Sequence, residues 1–542
     1  MNFQLLTIVV AAYVLVTGYL GWLGYKKTKS AADYLLAGRE VHPVLMSLAY
    51  GSSFISTSAI VGFGGAAALF GMGLLWLTFL NIFLGIFIAF LVFGRRTRRI
   101  GAALDAHTFP ELLGRRFNSK FVQGFAGTTI ACLMPLYAAA VMIGGARFLE
   151  VQLAMPYETA LFVFAVIVAA YVFFGGLKGV IYTDALQGTL MFVGMLILLV
   201  VTYSKVGGMA SHAQLTAMAP LVPESLVRAG HQGWTAMPVM FSPLWWTLVS
   251  SIILGVGIGV LAQPQLTVRY MTVKSGKELN RALIPGGIFI LMMTGVAFLV
   301  GALTNLYFFQ NEGKIALGMV MDATTGKPNI DKIIPTFVSH AMPEWFGYIF
   351  MLSLLAAAMS TLSGQFHAIG TSFGRDLYQQ AIAKGKHQER TVPIAKLGIF
   401  GGFILTILLA YNMPPGIIAV ATALFFGMCA AVFLPAYFSA LFWKRATLAG
   451  IITGMIGGMA TWGLWVLFVH EKQAPALGLC QAIFGKGSLA EGSIVSFVDP
   501  LIIALPVSAV LTVVISLVTR PMHARVIERS FPAVGAVAQA GK

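Results

Sequence analysis

The chain has 542 residues, of which 58% are hydrophobic and only 10% charged. A soluble domain of ordinary make-up is about 25% charged, so a soluble enzyme is excluded, and the apolar excess excludes disorder. The net charge of +16 then reads as the basic surplus of cytoplasmic loops, not as a nucleic-acid surface.

Residues Met1 to Tyr25 carry no charge before Lys26 and lack the basic start of a secretory signal. They read as a retained first helix. Apolar runs long enough to cross about 30 Å recur near 4–24, 42–70, 74–94, 121–149, 158–175, 184–204, 242–266, 283–309, 338–373, 391–411, 415–442, 447–469 and 495–518, thirteen in all. An odd number places the two ends on opposite faces. With the N-terminus outside and the C-terminus cytoplasmic, 27 of the 35 Lys and Arg fall on the inside, as the positive-inside rule asks. The stretch 100–118 is too polar to span and reads as an amphipathic helix lying on the inner surface. The long outer connections near 206–240, 311–337 and 470–494 suit short helices acting as lids.

The second run carries Gly51-Ser52-Ser53-Phe54-Ile55-Ser56-Thr57-Ser58, with Gly62, Gly64 and Gly65 following. Hydroxyls compete for helix hydrogen bonds and glycine weakens the helix. A break at mid-membrane frees carbonyls, which are tolerated there only beside a cavity or a bound group. Small residues for close packing are the alternative; that reading suits Gly450, Gly454 and Gly458 well. The sixth run opens near Asp184, either a helix cap or a carboxylate that draws a cation toward the cytoplasm. The seventh repeats the interruption over Leu254 to Pro264, through Gly255, Gly257 and Gly259. Broken segments at matching places in two halves point to an inverted-repeat transporter. The ninth carries Ala357, Ser360 and Thr361 on one helix face. Those oxygens, facing the freed carbonyls of the second run, suit Na⁺ better than Ca²⁺, which takes several carboxylates. Hydroxyls bonded back to their own helix are the alternative. His367, in the same run, reads as a hydrogen-bonded packing residue.

The expected architecture is an all-α polytopic membrane protein. Residues 1–41 form an N-terminal helix and cytoplasmic loop, 42–205 a first set of five helices, and 206–241 an outer loop. Residues 242–442 form a second set of five, and 443–542 two C-terminal helices and a tail. No phosphate loop, HExxH or CxxC pattern supports an ATP-driven pump or a metal enzyme. Cys132, Cys429 and Cys480 make no disulfide framework, and the first two read as packing residues.

Four stretches together resemble the sodium:solute symporter family, which includes bacterial proline, pantothenate, sialic acid, galactose and monocarboxylate transporters. They are Ala32 to Arg39, Phe54 to Ser58 with Gly62, Gly175 to Gln187, and Ala358 to Ser363. The resemblance implies a leucine-transporter-type core of five plus five helices. One extra helix precedes the core and two follow it. It implies one sodium held by the carbonyls of Ser52, Ile55 and Ala357 and the hydroxyls of Ser360 and Thr361, with no other cofactor. Asp184 and Ser363 would serve a second sodium or its release path. Gly364 stands where that second site needs a hydroxyl, which favours one Na⁺ per cycle. The solute pocket would draw on Ser56, Ser58, Ala59, Val256, Val260, Gln263 and Gln365. Ala59 departs from the amide of sugar-carrying members. Phe54, Val256 and Val260 depart from the Asp and aromatics of proline-carrying ones. The expectation is Na⁺-coupled uptake of a small, carboxylate-bearing nutrient by alternating access, by a single copy in the bacterial inner membrane. A proton-coupled carrier of the same fold is the first alternative. A polytopic membrane enzyme or sensor is the second, and it lacks clustered acids or a soluble output domain.

Overall fold

The computed structural model describes residues 2–26, 41–172, 177–322, 326–382 and 391–531. The motif Ala32 to Arg39, and Gly175 and Gly176 of the longest motif, lie outside the described residues. The described chain is nearly all helix, with two isolated β-bridges, Val41 to Val273 and Met321 to Pro328. Inner and outer below follow the basic-residue assignment.

Helix α1 is Phe3–Lys26. Helix α2, Pro43–Phe54, ends at an extended Ile55, and the chain re-enters helix as α3, Ser58–Gly62 continued by Phe63–Phe70. Gly71, with φ at 72°, turns the chain into α4, which runs from Leu75–Ile82 through Arg95–Ala103. The short helix α5 is Phe109–Arg116. Then follow α6 (Lys120–Leu153), α7 (Tyr157–Val172) and α8 (Leu177–Lys205). The second half holds α9 (Pro243–Ala262), α10 (Pro264–Tyr270) and α11 (Gly276–Glu312). It closes with α12 (Glu344–Gln379), α13 (Thr391–Asn412) and α14 (Ile418–Phe442). Two more helices follow, α15 (Leu448–Val469) and α16 (Pro500–Val518).

Among the described residues, 11 helices are long and apolar enough to cross a membrane, against thirteen expected runs. The difference falls at two places. The 12-residue α2 is too short by itself, while α3 and α4 form one stretch, Ser58–Ala103. The fifth run appears as the shorter apolar helix Tyr157–Ala169.

Helices α6, α12 and α14 are the most enclosed, and α2, α3, α9 and α10 pack against them. Helix α1 lies outside, against α8 and α12. Lipid offers no hydrophobic drive between helices, so close approach of small residues does the work. The α15–α16 pair shows it. A Cβ on Gly454 would fall 1.9 Å from the Thr512 hydroxyl, and one on Gly450 2.1 Å from the Ser516 hydroxyl.

The structure corrects three expectations. Helix α5 does not lie on a lipid surface. Its Phe109, Glu111, Leu112, Leu113 and Arg116 are all buried, wedged under α6 and α14. The glycines of the seventh run are helical, and the break comes later, at the extended Gln263 before Pro264. Those glycines serve close packing instead: a Cβ on Gly259 would meet the Phe426 carbonyl at 2.3 Å, and one on Gly257 would meet Leu80 at 2.7 Å. Third, Cys132 is exposed on α6, whereas Cys429 is buried. The short helices expected in the outer loops are present, including Ser211–Ala217, Ile333–Ala341 and Gln473–Leu477.

Candidate ion and solute site

The α2–α3 break decides where backbone oxygens go. The last regular helix bond of α2 runs from the Ile55 N–H to the Gly51 carbonyl at 2.8 Å. With Ile55 extended and Ser56 outside the helix, the carbonyls from Ser52 onward lose the partners a continuing helix would supply. Helix α12 meets them. Ser360 Oγ donates to the Ser52 carbonyl at 2.8 Å, and Thr361 Oγ1 donates to the Ser52 and Ser53 carbonyls at 3.3 Å each. Ser360 Oγ also lies 3.2 Å from the Ala357 carbonyl. Four of the five expected sodium ligands, Ser52, Ala357, Ser360 and Thr361, therefore converge. The fifth, the carbonyl of buried Ile55, sits at the break itself. All five residues are buried, and all five donor atoms are uncharged oxygens.

One turn deeper lies a fixed charge pair. Asp184 is the eighth residue of α8 and fully buried, so it is not the cap of that helix. Its Oδ2 accepts from Arg269 Nη2 at 2.7 Å, and the same Nη2 donates to Ser53 Oγ at 2.6 Å. Ser53 Oγ in turn donates to the Ser360 carbonyl at 3.2 Å. Sequence reading placed Arg269 among inside-loop charges; the structure buries it on α10. Gly364 lies against the pair: a Cβ there would stand 3.8 Å from both Nη2 and Ser53 Oγ, an ordinary contact. Ser363 Oγ bonds back to the Ser360 carbonyl at 3.1 Å, and the Asp184 oxygen that Arg269 holds is closed to it.

A small cavity, about 20 Å³, lies between the two broken helices. Of the expected solute residues, Ser56, Ala59 and Val256 line it. Ser58 and Val260 are buried elsewhere in the helix walls. Gln263 is also outside the cavity and accepts a hydrogen bond from Gln265 at 2.8 Å. Gln365 is buried beyond the lining as well. The polar groups that do line it are ones the sequence reading passed over: Asn81, Tyr137, Thr294 and Thr422. Asn81 is a lone amide in an apolar run, and that was the available signal. Its Oδ1 and the Thr422 hydroxyl are buried without partners, and Tyr137 donates to Ser56 Oγ at 3.4 Å.

Polar contacts tie the helices together on both sides of the cavity. Outside, Trp234 Nε1 donates to the Ala68 carbonyl at 2.9 Å and His231 Nε2 stands 2.8 Å from the Leu69 carbonyl, tying the 206–242 loop over the end of α3. Inside, the Glu111 carboxylate on α5 accepts two bonds from Arg375 of α12, at 2.9 Å each, and pairs with Arg115 at 2.6 Å. Burial alone would raise the Glu111 carboxyl, but His107, Arg375 and Arg115 outweigh it and hold it down at about 2. A second small cavity, about 30 Å³, lies between this latch and the ion pair, bordered by His107, Gln265, Arg269 and His367.

Comparison with known proteins follows the same lines. The sequence matches the family described as SSF, sodium:solute symporter family, over residues 34–458. Sodium/proline symporters of Staphylococcus aureus strains JH9 and NCTC 8325 / PS 47 are each 28% identical over 507 residues, covering 91% of this chain and 90% of theirs. The outward-open structure of a Na⁺-coupled sialic acid symporter shares the fold, at TM-score 0.70, 19% identity, and coverage of 95% of this chain and 98% of that one. Mhp1, a nucleobase-cation-symport-1 family transporter in a closed conformation, does so at TM-score 0.51 and 13% identity, covering 93% and 99%.

Proposed function

This chain belongs to the sodium:solute symporter family, and on that premise we propose that it couples one Na⁺ to the uptake of one small carboxylate-bearing solute by alternating access. It is a multi-pass membrane transporter with the leucine-transporter-type fold, not an enzyme. The observation that carries the proposal is the 2.8 Å approach of the Ser360 hydroxyl to the Ser52 carbonyl, across 308 residues of chain. Both hydroxyl hydrogens can rotate away and turn lone pairs toward an ion. Na⁺ would then bridge α2 and α12 through Ser52, Ile55, Ala357, Ser360 and Thr361. An uncharged oxygen set favours a monovalent ion over Ca²⁺.

A stoichiometry of one is supported by Arg269, whose guanidinium already pairs with the Asp184 charge through Oδ2, leaving Oδ1 unpartnered. The solute cavity supports a small molecule with an apolar body. Phe54, Phe63, Val256 and Phe426 wall it, and among the described residues no Lys or Arg lines it. A carboxylate there is met by the N–H groups that open α3 and by Ser56 and Tyr137. The unpartnered Asn81 Oδ1 suits an N–H or O–H on the same solute, as in a hydroxy or amino acid. At about 20 Å³ the cavity has room for a water but not for an organic solute, so solute entry requires one face to open. The Trp234 and Glu111 contacts are the two closures that exchange. Inner-membrane placement is supported by the family, and an outer N-terminus by the basic residues of alternate loops.

A monocarboxylate carried with one Na⁺ moves no net charge. The membrane potential, worth about 2.3 kcal/mol per charge at 100 mV, then contributes nothing, and a tenfold Na⁺ gradient supports about tenfold accumulation. The test is a thermal-shift screen of purified protein against organic acids and amino acids, in Na⁺ and in choline at fixed pH. Acids that stabilise only in Na⁺ support the proposal. Stabilisation that ignores the Na⁺-for-choline swap but follows pH would give the place to a proton-coupled carrier.

A further inference from the structure

Helix α4 leaves the membrane as Arg95-Arg96-Thr97-Arg98-Arg99. Where it meets the loop before α11, a cleft of about 480 Å³ opens, lined by Arg95, Arg96, Arg98, Arg99, Lys274, Ser275 and Gly276. Five of those seven residues are cationic and none is acidic.

Three of the arginines donate to neutral acceptors. Arg95 donates to Asn280 Oδ1 through Nε at 2.9 Å and Nη2 at 2.5 Å. Arg98 donates to the carbonyls of Val273 at 2.5 Å and Lys274 at 2.9 Å. Arg96 reaches the Leu441 carbonyl at 3.2 Å with its guanidinium 4.5 Å from the Phe442 ring centre. Arg99 Nε is buried without a partner. Among the described residues, no ion pair takes up Arg95, Arg96, Arg99 or Lys274. The positive-inside rule asks for basic residues on this face. It does not ask that they converge on one cleft, where among the described residues no carboxylate pairs with Arg95, Arg96, Arg99 or Lys274.

The apolar surface above the cleft continues the pattern. On α4, Phe83 and Phe87 are exposed, and on the neighbouring α11, Ile284, Ile288 and Leu291 are exposed beside them. At 1.5 Å per residue, Phe87 stands about 12 Å from Arg95 along the helix. That is within one leaflet of a hydrocarbon core about 30 Å thick.

We propose that this cleft binds a phosphate-ester anion, the head group of an anionic phospholipid whose chains lie against Phe87 and Ile288. Guanidinium forks match phosphate oxygens, and basic pockets between membrane helices on this face suit lipid head groups. The test uses the purified, delipidated full-length protein. It is titrated with phosphatidylglycerol, with phosphatidylcholine of the same chains, and with inorganic phosphate, reading adducts by native mass spectrometry and unfolding by thermal shift. Phosphatidylglycerol is expected to bind about tenfold tighter than phosphatidylcholine, falling to within about twofold in R95Q/R99Q/K274Q. Stabilisation of the wild type, but not of that variant, by inorganic phosphate alone would keep the chemistry and make free phosphate the source. Equal binding of the two lipids with no phosphate response overturns the site, and so does an undiminished preference in the variant. Should the triple variant fail to fold, K274Q alone changes one exposed side chain. It is expected to lower the preference about twofold, and an unchanged preference there also overturns the site.

Discussion

The two interrupted helices solve one problem in opposite ways. Between α2 and α3 the chain leaves bare carbonyls, and the groups brought to them are the neutral hydroxyls of Ser360 and Thr361. Between α9 and α10 the break is made by Pro264, and the inner half that follows carries a permanent cation, Arg269, to the carboxylate of Asp184. One break offers oxygens without a charge; the other brings its own charge and closes on it. The two are wired together, because Ser53 Oγ accepts from Arg269 and donates to the Ser360 carbonyl. An exchangeable ion belongs where no resident cation is already seated.

The largest expected effect comes from Arg269→Gln. Removing one partner of a buried ion pair costs about 3–5 kcal/mol, read as a loss of unfolding free energy. The comparison also predicts a direction: Asp184, now unpaired, recruits Na⁺, so the Na⁺ dependence of thermal stability in the variant steepens from one-site to two-site form. A Na⁺ curve superimposable on that of the wild type would show that Arg269 does not stand in for a cation.

Next comes Glu111→Gln, which breaks the inner latch at a cost of about 3 kcal/mol. Because Glu111 is held down at about 2, below its ordinary value of 4.5, its contribution is complete above about pH 4.5. It fades as the pH falls from there toward about 2. The difference in unfolding midpoint between wild type and variant should therefore be flat from neutral pH to about 4.5 and narrow below it. Ser360→Ala with Thr361→Ala removes two of the proposed hydroxyl ligands together. It should weaken Na⁺-dependent stabilisation on the order of 100-fold. Unchanged Na⁺ dependence would remove the proposed site.

The contrast between the breaks was only half legible in the sequence. The α2–α3 break could be read because hydroxyls crowd Ser52 to Ser58 where an apolar run should be, and the i, i+3, i+4 spacing of Ala357, Ser360 and Thr361 put their oxygens on one face. The α9–α10 break falls inside the stretch Leu254 to Pro264 but at Gln263 and Pro264, not at the glycines that pointed to it. Glycine serves a broken segment and a close helix contact equally well, and only the partners, Leu80 and the Phe426 carbonyl, decide for contact. Arg269 looked like a loop charge because its partner lies 85 residues away. Asn81 is marked only as a lone amide in an apolar run, and it joins Ser56 only through the packed bundle. Helix α5 looked superficial because its burial depends on α6, α12 and α14 arriving around it.

A substitution far from both breaks separates stability from ion response. Gly454→Ala places a Cβ 1.9 Å from Thr512 Oγ1 in the α15–α16 pair, a misfit of about 1–3 kcal/mol. Those helices touch neither break, so the Na⁺ concentration that gives half the thermal stabilisation should not move. A shift in it would mean that the ion site depends on the C-terminal pair.

The smallest expected effect is the most selective between one cation and two. Ser363→Ala removes a hydroxyl that bonds back to the Ser360 carbonyl at 3.1 Å, a loss of about 1 kcal/mol or less. If Asp184 and Ser363 held a second Na⁺, the same change would strip a ligand from it and flatten a two-site Na⁺ curve. With Arg269 already on Asp184 and no hydroxyl at Gly364, the wild-type curve should be single-site and the variant's should overlay it. In the Arg269→Gln background, where Asp184 is open, the Ser363 hydroxyl acquires an ion to meet. There Ser363→Ala should weaken the second Na⁺ phase, and that dependence of one residue's effect on the other is what separates a resident cation from a merely structural ion pair.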